Sequence, residues 1–132
     1  MKKINSVYVI DDDEIYQFTI KKILKSFDLP FEIKSFPDGE EAINFIDDHK
    51  NNEAELPDIV FLDINMPIMD GFEFLEEFEK IKSDLCKNTI VHMVSSSVDE
   101  VDIERAKKNK NISSYITKPV NPKEIERIIK SF

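Results

Sequence analysis

The sequence predicts a doubly wound α/β fold, a five-stranded parallel sheet in the order 2-1-3-4-5 with helices on both faces. Three observations carry this. Five short apolar runs each give way to a segment of helical periodicity, the alternation that crossover-linked parallel strands require. The first, third and fourth runs are almost unbroken by polar residues, as strands buried on both faces are, whereas the second and fifth are mixed and suit the edges. Finally, three of the runs stop abruptly on polar residues, at Asp11, Asp63 and Ser95, at the carboxyl ends where open α/β sheets hold their ligands.

In chain order, residues 7–10 form the first strand and end at Asp11-Asp12-Asp13. From Glu14 the period changes, and Tyr16, Ile20, Ile23, Leu24 and Phe27 form a helical stripe closed by Asp28-Leu29-Pro30. Residues 31–36 alternate polar Glu32 and Lys34 with Phe31, Ile33 and Ser35, the pattern of an exposed edge strand. Pro37-Asp38-Gly39 turns into a second helix, with Asp38 as N-cap and Ala42, Phe45 and Ile46 facing inward. Residues 51–57 are a polar loop. Ile59 to Leu62 is the central strand, and Asn65-Met66-Pro67 turns the chain away from it.

A third helix follows Gly71 on Phe74, Leu75, Phe78 and Ile81, and its acids Glu73, Glu76 and Glu77 read as its solvated face. Residues 90–94 are the fourth strand. The fourth helix, residues 99–108, has only Val101, Ile103 and Ala106 as a stripe and is expected to be the loosest. Residues 112–117 are the polar fifth strand. Asn121-Pro122-Lys123-Glu124 then starts the last helix with a cap, a proline at the first position and a glutamate at the third. Ile125, Ile128, Ile129 and Phe132 are its apolar face.

The totals narrow the functions. A chain of 132 residues suits one domain, residues 1–132. With 27 acidic against 18 basic side chains and a net charge of −9, nonspecific binding to nucleic acid or anionic membrane is disfavoured. The single cysteine, Cys86, fits a reducing compartment, and no apolar run has signal-peptide or membrane-spanning length, so a cytoplasmic location is expected. Neither Gly39 nor Gly71 belongs to a phosphate-cradling nucleotide loop.

The order 2-1-3-4-5 sets strands one and three side by side where the winding reverses, so Asp11, Asp12 and Asp63 converge at one crevice beside Ser95 and Lys118. Alone, Asp63 reads as a turn cap and Asp11-Asp12 as an acidic strand end. Together, three carboxylates facing one lysine leave uncompensated negative charge, and hard oxygen donors without histidine or cysteine favour Mg²⁺. A cation and a lysine around a third carboxylate also suit an incoming phosphoryl group, which a carboxylate oxygen can attack to give an acyl phosphate.

Asp11-Asp12, Asp63 followed at four residues by Pro67, Asp70-Gly71, Ser95 and Lys118-Pro119 together resemble the receiver domain of two-component response regulators, over essentially the whole chain. The resemblance implies a CheY-like, flavodoxin-like fold in stand-alone form, with no output domain. It implies that Asp63 is the phosphoacceptor, that Asp11 and Asp12 serve Mg²⁺ with Asp12 a direct ligand, and that the Asn65 backbone carbonyl completes the protein ligands. Lys118 is implied to contact the phosphoryl group across a cis peptide to Pro119. Ser95 is implied to move to that group, and Tyr115 to swing inward behind it. The implied partners are a histidine kinase or histidine phosphotransfer protein upstream and a downstream protein. That downstream protein is expected on the surface formed by the fourth helix, fifth strand and fifth helix, residues 99–132, unless the phosphoryl group passes onward in a relay.

On this reading the chain is no enzyme beyond catalysing its own phosphorylation and dephosphorylation. A magnesium-dependent phosphatase with an aspartyl-phosphate intermediate, resembling the haloacid dehalogenase family, wants a second acid two residues after the nucleophile, and Asn65 stands there. His92, inside an apolar strand, reads as a packed core histidine, and His49 as a helix-end residue.

Overall fold

The computed structural model describes residues 3–132. Its strands are β1 (Ser6–Ile10), β2 (Glu32–Phe36), β3 (Ile59–Leu62), β4 (Ile90–Ser95) and β5 (Ile112–Thr117). They alternate with α1 (Glu14–Lys25), α2 (Gly39–Asp48), α3 (Gly71–Ile81), α4 (Glu100–Lys108) and α5 (Pro122–Lys130). The sheet is wholly parallel in the order β2-β1-β3-β4-β5, as expected. No helix of the described residues is long and apolar enough to cross a membrane.

Strand alternation divides the core in two. Tyr8, Ile10, Val60, Leu62 and Met93 face the layer of α2, α3 and α4, with Phe74, Leu75 and Phe78 packed beneath them. Val7, Val9, Ile59, Phe61, Val94 and Ile116 face α1 and α5, meeting Ile20, Leu24, Ile125 and Ile129. Each fully buried side chain of this size contributes roughly 1.5–3 kcal/mol, so the central strands hold the scaffold under the crevice rigid. β2 is an edge guarded by charge: Lys34 is only partly exposed because it bridges Glu32 at 3.1 Å and Glu55 at 3.0 Å.

The caps follow the sequence. Asp38 accepts the Glu41 amide, Asn121 accepts that of Lys123, and Pro122 opens α5. Glu73 is exposed, as expected, and also caps: its side chain accepts the Asp70 amide while Asp70 accepts the Glu73 amide, a reciprocal capping box. α4 is the least anchored helix, burying only Ala106. Val101, expected in its stripe, is instead 72% exposed. The inward face is that of Asp102, Ile103 and Ala106, and Asp102 has a place on it because its carboxylate accepts the Ser97 hydroxyl at 2.8 Å.

One irregularity concerns β5. Val91 pairs with Ile112 but His92 pairs with Ser114, so Ser113 is an extra residue opposite the β4 ladder. Ile112 and Tyr115 consequently pack on the same side of the sheet, although three residues apart.

Candidate functional site

The backbone ladder aligns the site before any side chain acts. Ile10 and Leu62 are register partners in β1 and β3, so the residues after them, Asp11 and Asp63, emerge side by side. The Asp63 amide donates to Ile10 O at 2.9 Å, the Asp11 amide to Phe36 O at 3.0 Å, and the Lys118 amide to Ser95 O at 2.9 Å. Gln17 adds a clamp the sequence did not reveal, its Nε2 donating to the carbonyls of Asp11 at 2.6 Å and Phe36 at 3.1 Å. Gly71 is required where it stands. Its amide donates to Ile64 O at 2.8 Å, and a Cβ there would collide with the Asp63 carbonyl oxygen.

At the floor, Asp11 is buried and bonded on both oxygens, accepting the Asp13 amide at 2.9 Å and the Lys118 ammonium at 2.8 Å. Asp63 is also buried. Its Oδ1 accepts the Ile64 amide at 2.9 Å, and its Oδ2 stands 3.7 Å from Lys118 Nζ. Asp12 is exposed at the rim. One oxygen from each of Asp11, Asp12 and Asp63 lies within 4.8 Å of the others, an all-oxygen donor set that fits a hard divalent cation such as Mg²⁺. Asn65 follows in the exposed loop, where Ile68 takes a positive φ of 69°.

The electrostatics match the count of one lysine against three acids. Burial, and after it the Asp11 carboxylate, push Asp63 up to about 7; Lys118 and the Ile64 amide pull it back, and Asp12 adds to the rise. For Lys118, burial works against the charged form, but the Asp11 hydrogen bond and the charges of Asp63 and Asp11 outweigh it and raise the ammonium. The crevice is therefore short of positive charge around Asp63.

Ser95 is wholly buried, and its Oγ accepts the Ser97 amide at 3.1 Å. Tyr115 is half-buried, with its hydroxyl donating to Ser97 O at 2.9 Å. Ser97 thus joins Ser95, Tyr115 and Asp102, linking the crevice to the start of α4. The Lys118-Pro119 peptide is cis.

Tyr16 falls in the apolar stripe of α1 by its spacing, yet its ring centroid lies 4.0 Å from Lys118 Nζ. The signal was present: α1 begins just after the acid pair, so its first turn stands over the crevice. Both histidines and the cysteine lie outside the site. His92 is buried in β4, stacked on Phe61 and bonded to Ser114 Oγ at 2.6 Å; burial lowers its pKa to about 4. His49 caps α2 and stacks on Phe45, and Cys86 is exposed.

Comparison with known proteins agrees with this geometry. A two-component response regulator from Cytophaga hutchinsonii superposes with a TM-score of 0.84 at 30% identity, covering 98% of this chain and 97% of that one. The phosphorylated cyanobacterial phytochrome response regulator RcpA superposes at 0.77 with 27% identity, over 97% of this chain and 90% of that one. Among curated sequences, the probable methanogenesis regulatory protein FilR2 of Methanothrix harundinacea is 24% identical over 93% of this chain and 77% of its own length. The chain spans less than half the length of the next curated relatives it matches. The response regulator receiver domain model matches residues 7–130, and the chain belongs to that family.

Proposed function

We propose that this chain is a phosphorylation-dependent switch that accepts a phosphoryl group on Asp63 from a histidine kinase or histidine phosphotransfer protein. The observation that carries the reading is the convergence of three carboxylates within 4.8 Å of one another around a single buried lysine. Asp11, Asp12, Asp63 and the Asn65 carbonyl would hold Mg²⁺. Bound there, the cation supplies charge neutralisation for the transferring phosphoryl oxygens.

The chain's own residues account for the rest. Asp63 Oδ2 accepts no hydrogen bond among the described residues, with the ammonium 3.7 Å away, and is the oxygen free to attack phosphorus. As that P–O bond forms, the P–N bond of the donor phosphohistidine breaks, and the imidazole leaves with the electron pair. Lys118 neutralises a second phosphoryl oxygen. Ser95, whose oxygen already accepts the Ser97 amide, keeps its own proton to donate to a third.

Ile15 and Phe18 on α1 and Ile68 in the loop after β3 are exposed apolar side chains at the carboxyl end of the sheet, suited to a partner that must present a histidine there. Output is assigned to the α4–β5–α5 surface, through protein contact or onward phosphotransfer. α4 has the least packing holding it in one position, and Ser97 ties it to Ser95 and Tyr115.

Incubation with acetyl phosphate and Mg²⁺ is expected to add one phosphoryl group by intact mass, and Asp63→Asn is expected to abolish it. Undiminished labelling of that variant would refute the assignment. Beryllofluoride, a phosphoryl mimic, should shift amide resonances from the crevice through residues 98–110 and Tyr115. Changes confined to the crevice loops would place the output face elsewhere.

A further inference from the structure

Lys118 reaches the crevice from the end of an edge strand, on a four-carbon stem with many rotamers. Asp11 draws its ammonium to 2.8 Å, while Asp63 is 3.7 Å away. With those two contacts alone, the head would be free to settle fully on Asp11 or to swing out to water. A third support comes from α1, where the Tyr16 ring lies with its centroid 4.0 Å from Nζ, inside the range at which an aromatic face attracts a cation. The lysine side chain is only 6% exposed, so the attraction acts on a desolvated charge, where such contacts are strongest. Tyr16 is outside both core clusters, so filling the interior does not account for its placement.

We propose that Tyr16 is a positioning residue for phosphoryl transfer: its ring face holds the Lys118 ammonium between Asp11 and Asp63, where an incoming phosphoryl oxygen meets it. The proposal rests on the reading of Asp63 as the acceptor. It makes a specific chemical demand, for an aromatic face at residue 16 rather than a hydroxyl or mere bulk.

The test compares Tyr16→Phe, which keeps the face, with Tyr16→Leu and Tyr16→Met, which keep apolar bulk without it. The rate of phosphoryl incorporation from phosphoramidate with Mg²⁺ is followed by intact mass. Tyr16→Phe is expected within about twofold of wild type and the two aliphatic variants about tenfold slower, a loss of the size one cation–π contact supplies. In wild-type protein, the Lys118 Hε resonances should be displaced upfield by the ring current, a displacement kept in Tyr16→Phe.

Unshifted Lys118 resonances in wild type overturn the proposal without recourse to any variant, as does wild-type labelling by a folded Leu or Met variant. If wild type takes up no phosphoryl group, or Asp63→Asn labels as wild type does, the reading of Asp63 fails first and the proposal with it. Labelling that depends on Asp63 but not on residue 16 overturns the proposal alone.

Discussion

Asp58 and Asp63 bracket the same four-residue strand, and their surroundings are opposite. At the amino end of β3, the Asp58 carboxylate accepts the amides of Asn5 at 2.7 Å and Ser6 at 3.1 Å and pairs with Lys87 at 3.1 Å. Lys87 in turn reaches Leu56 O at 3.4 Å, and both charged side chains are buried. One acid meets one base, and amide donors fill the remaining lone pairs. At the carboxyl end, Asp63 shares one lysine with Asp11 and Asp12, and a single amide bonds it. The first arrangement is satisfied as it stands and fastens β1 to β3. The second carries an excess of negative charge, so it gains free energy from an added cation or a neutralised carboxylate. The same residue type at the two ends of one strand is structure in one place and chemistry in the other, and the difference lies in how completely its charge is matched.

The largest effect should come from the matched end. Asp58→Ala strands Lys87 and two amides, and is expected to cost about 3–5 kcal/mol in urea unfolding. Its folded fraction should still take up phosphoryl at the wild-type rate. A change in that rate would mean that the two ends are coupled rather than separate in role.

Next in size is the cation. At a hundredfold excess over its dissociation constant, Mg²⁺ should stabilise the wild-type protein by about 2.7 kcal/mol, read as a rise in melting temperature. Asp12→Ala should lose most of that increment and Asp58→Ala should retain it. Equal increments in all three would move the cation elsewhere.

The smallest effect is a pH slope. Asp63 has a folded value of about 7, above its unfolded value near 4, so its contribution to metal-free stability is complete below about pH 4 and lost as pH rises towards 7. His92 has the opposite sign. Its folded value of about 4 lies below an unfolded value near 6.5, so stability rises over that interval by roughly 1–2 kcal/mol after allowance for screening. In the wild type the two slopes oppose. Asp63→Asn removes the first, so metal-free stability of that variant should rise from pH 4 to 6.5. A flat profile would remove His92 as a titrating core group.

What the sequence made legible follows from how far each cause reaches along the chain. Strand runs, caps and the crevice were readable because hydropathic period, Asp38, Asn121 and the parallel winding act locally or through topology. The role of Asp58 was not, because its partner Lys87 lies 29 positions away and stands in no pattern. Tyr16 hid inside an apolar stripe, where an aromatic with a core address and one with a site address look the same. In the α4 stripe Ile103 and Ala106 face inward as expected and only Val101 does not: the neighbouring inward position is Asp102, held there by Ser97, and a polar residue on that face defeats a hydropathic reading. Glu73 resembled its acidic neighbours, and only its spacing of three from Asp70 marked it as a capping partner.

The extra residue at Ser113 acts on the fifth strand as a half-period shift acts on a wave. Side chains alternate with a period of two, so a strand continuing unbroken from Ile112 would present residues 112, 114 and 116 to one face of the sheet and Tyr115 to the other. The inserted serine inverts the alternation beyond it, turning Tyr115 towards α4 and Ile116 towards α5. A strand that paired Ser113 regularly, opposite His92, would therefore leave every residue of the tyrosine's neighbourhood in the chain while delivering its ring to the wrong layer, disconnecting the crevice from α4 with no change to any ligand, acid or hydroxyl. Deleting Ser113 would instead keep Ser114 and Tyr115 opposite His92 and Met93 and leave the ring on the α4 side.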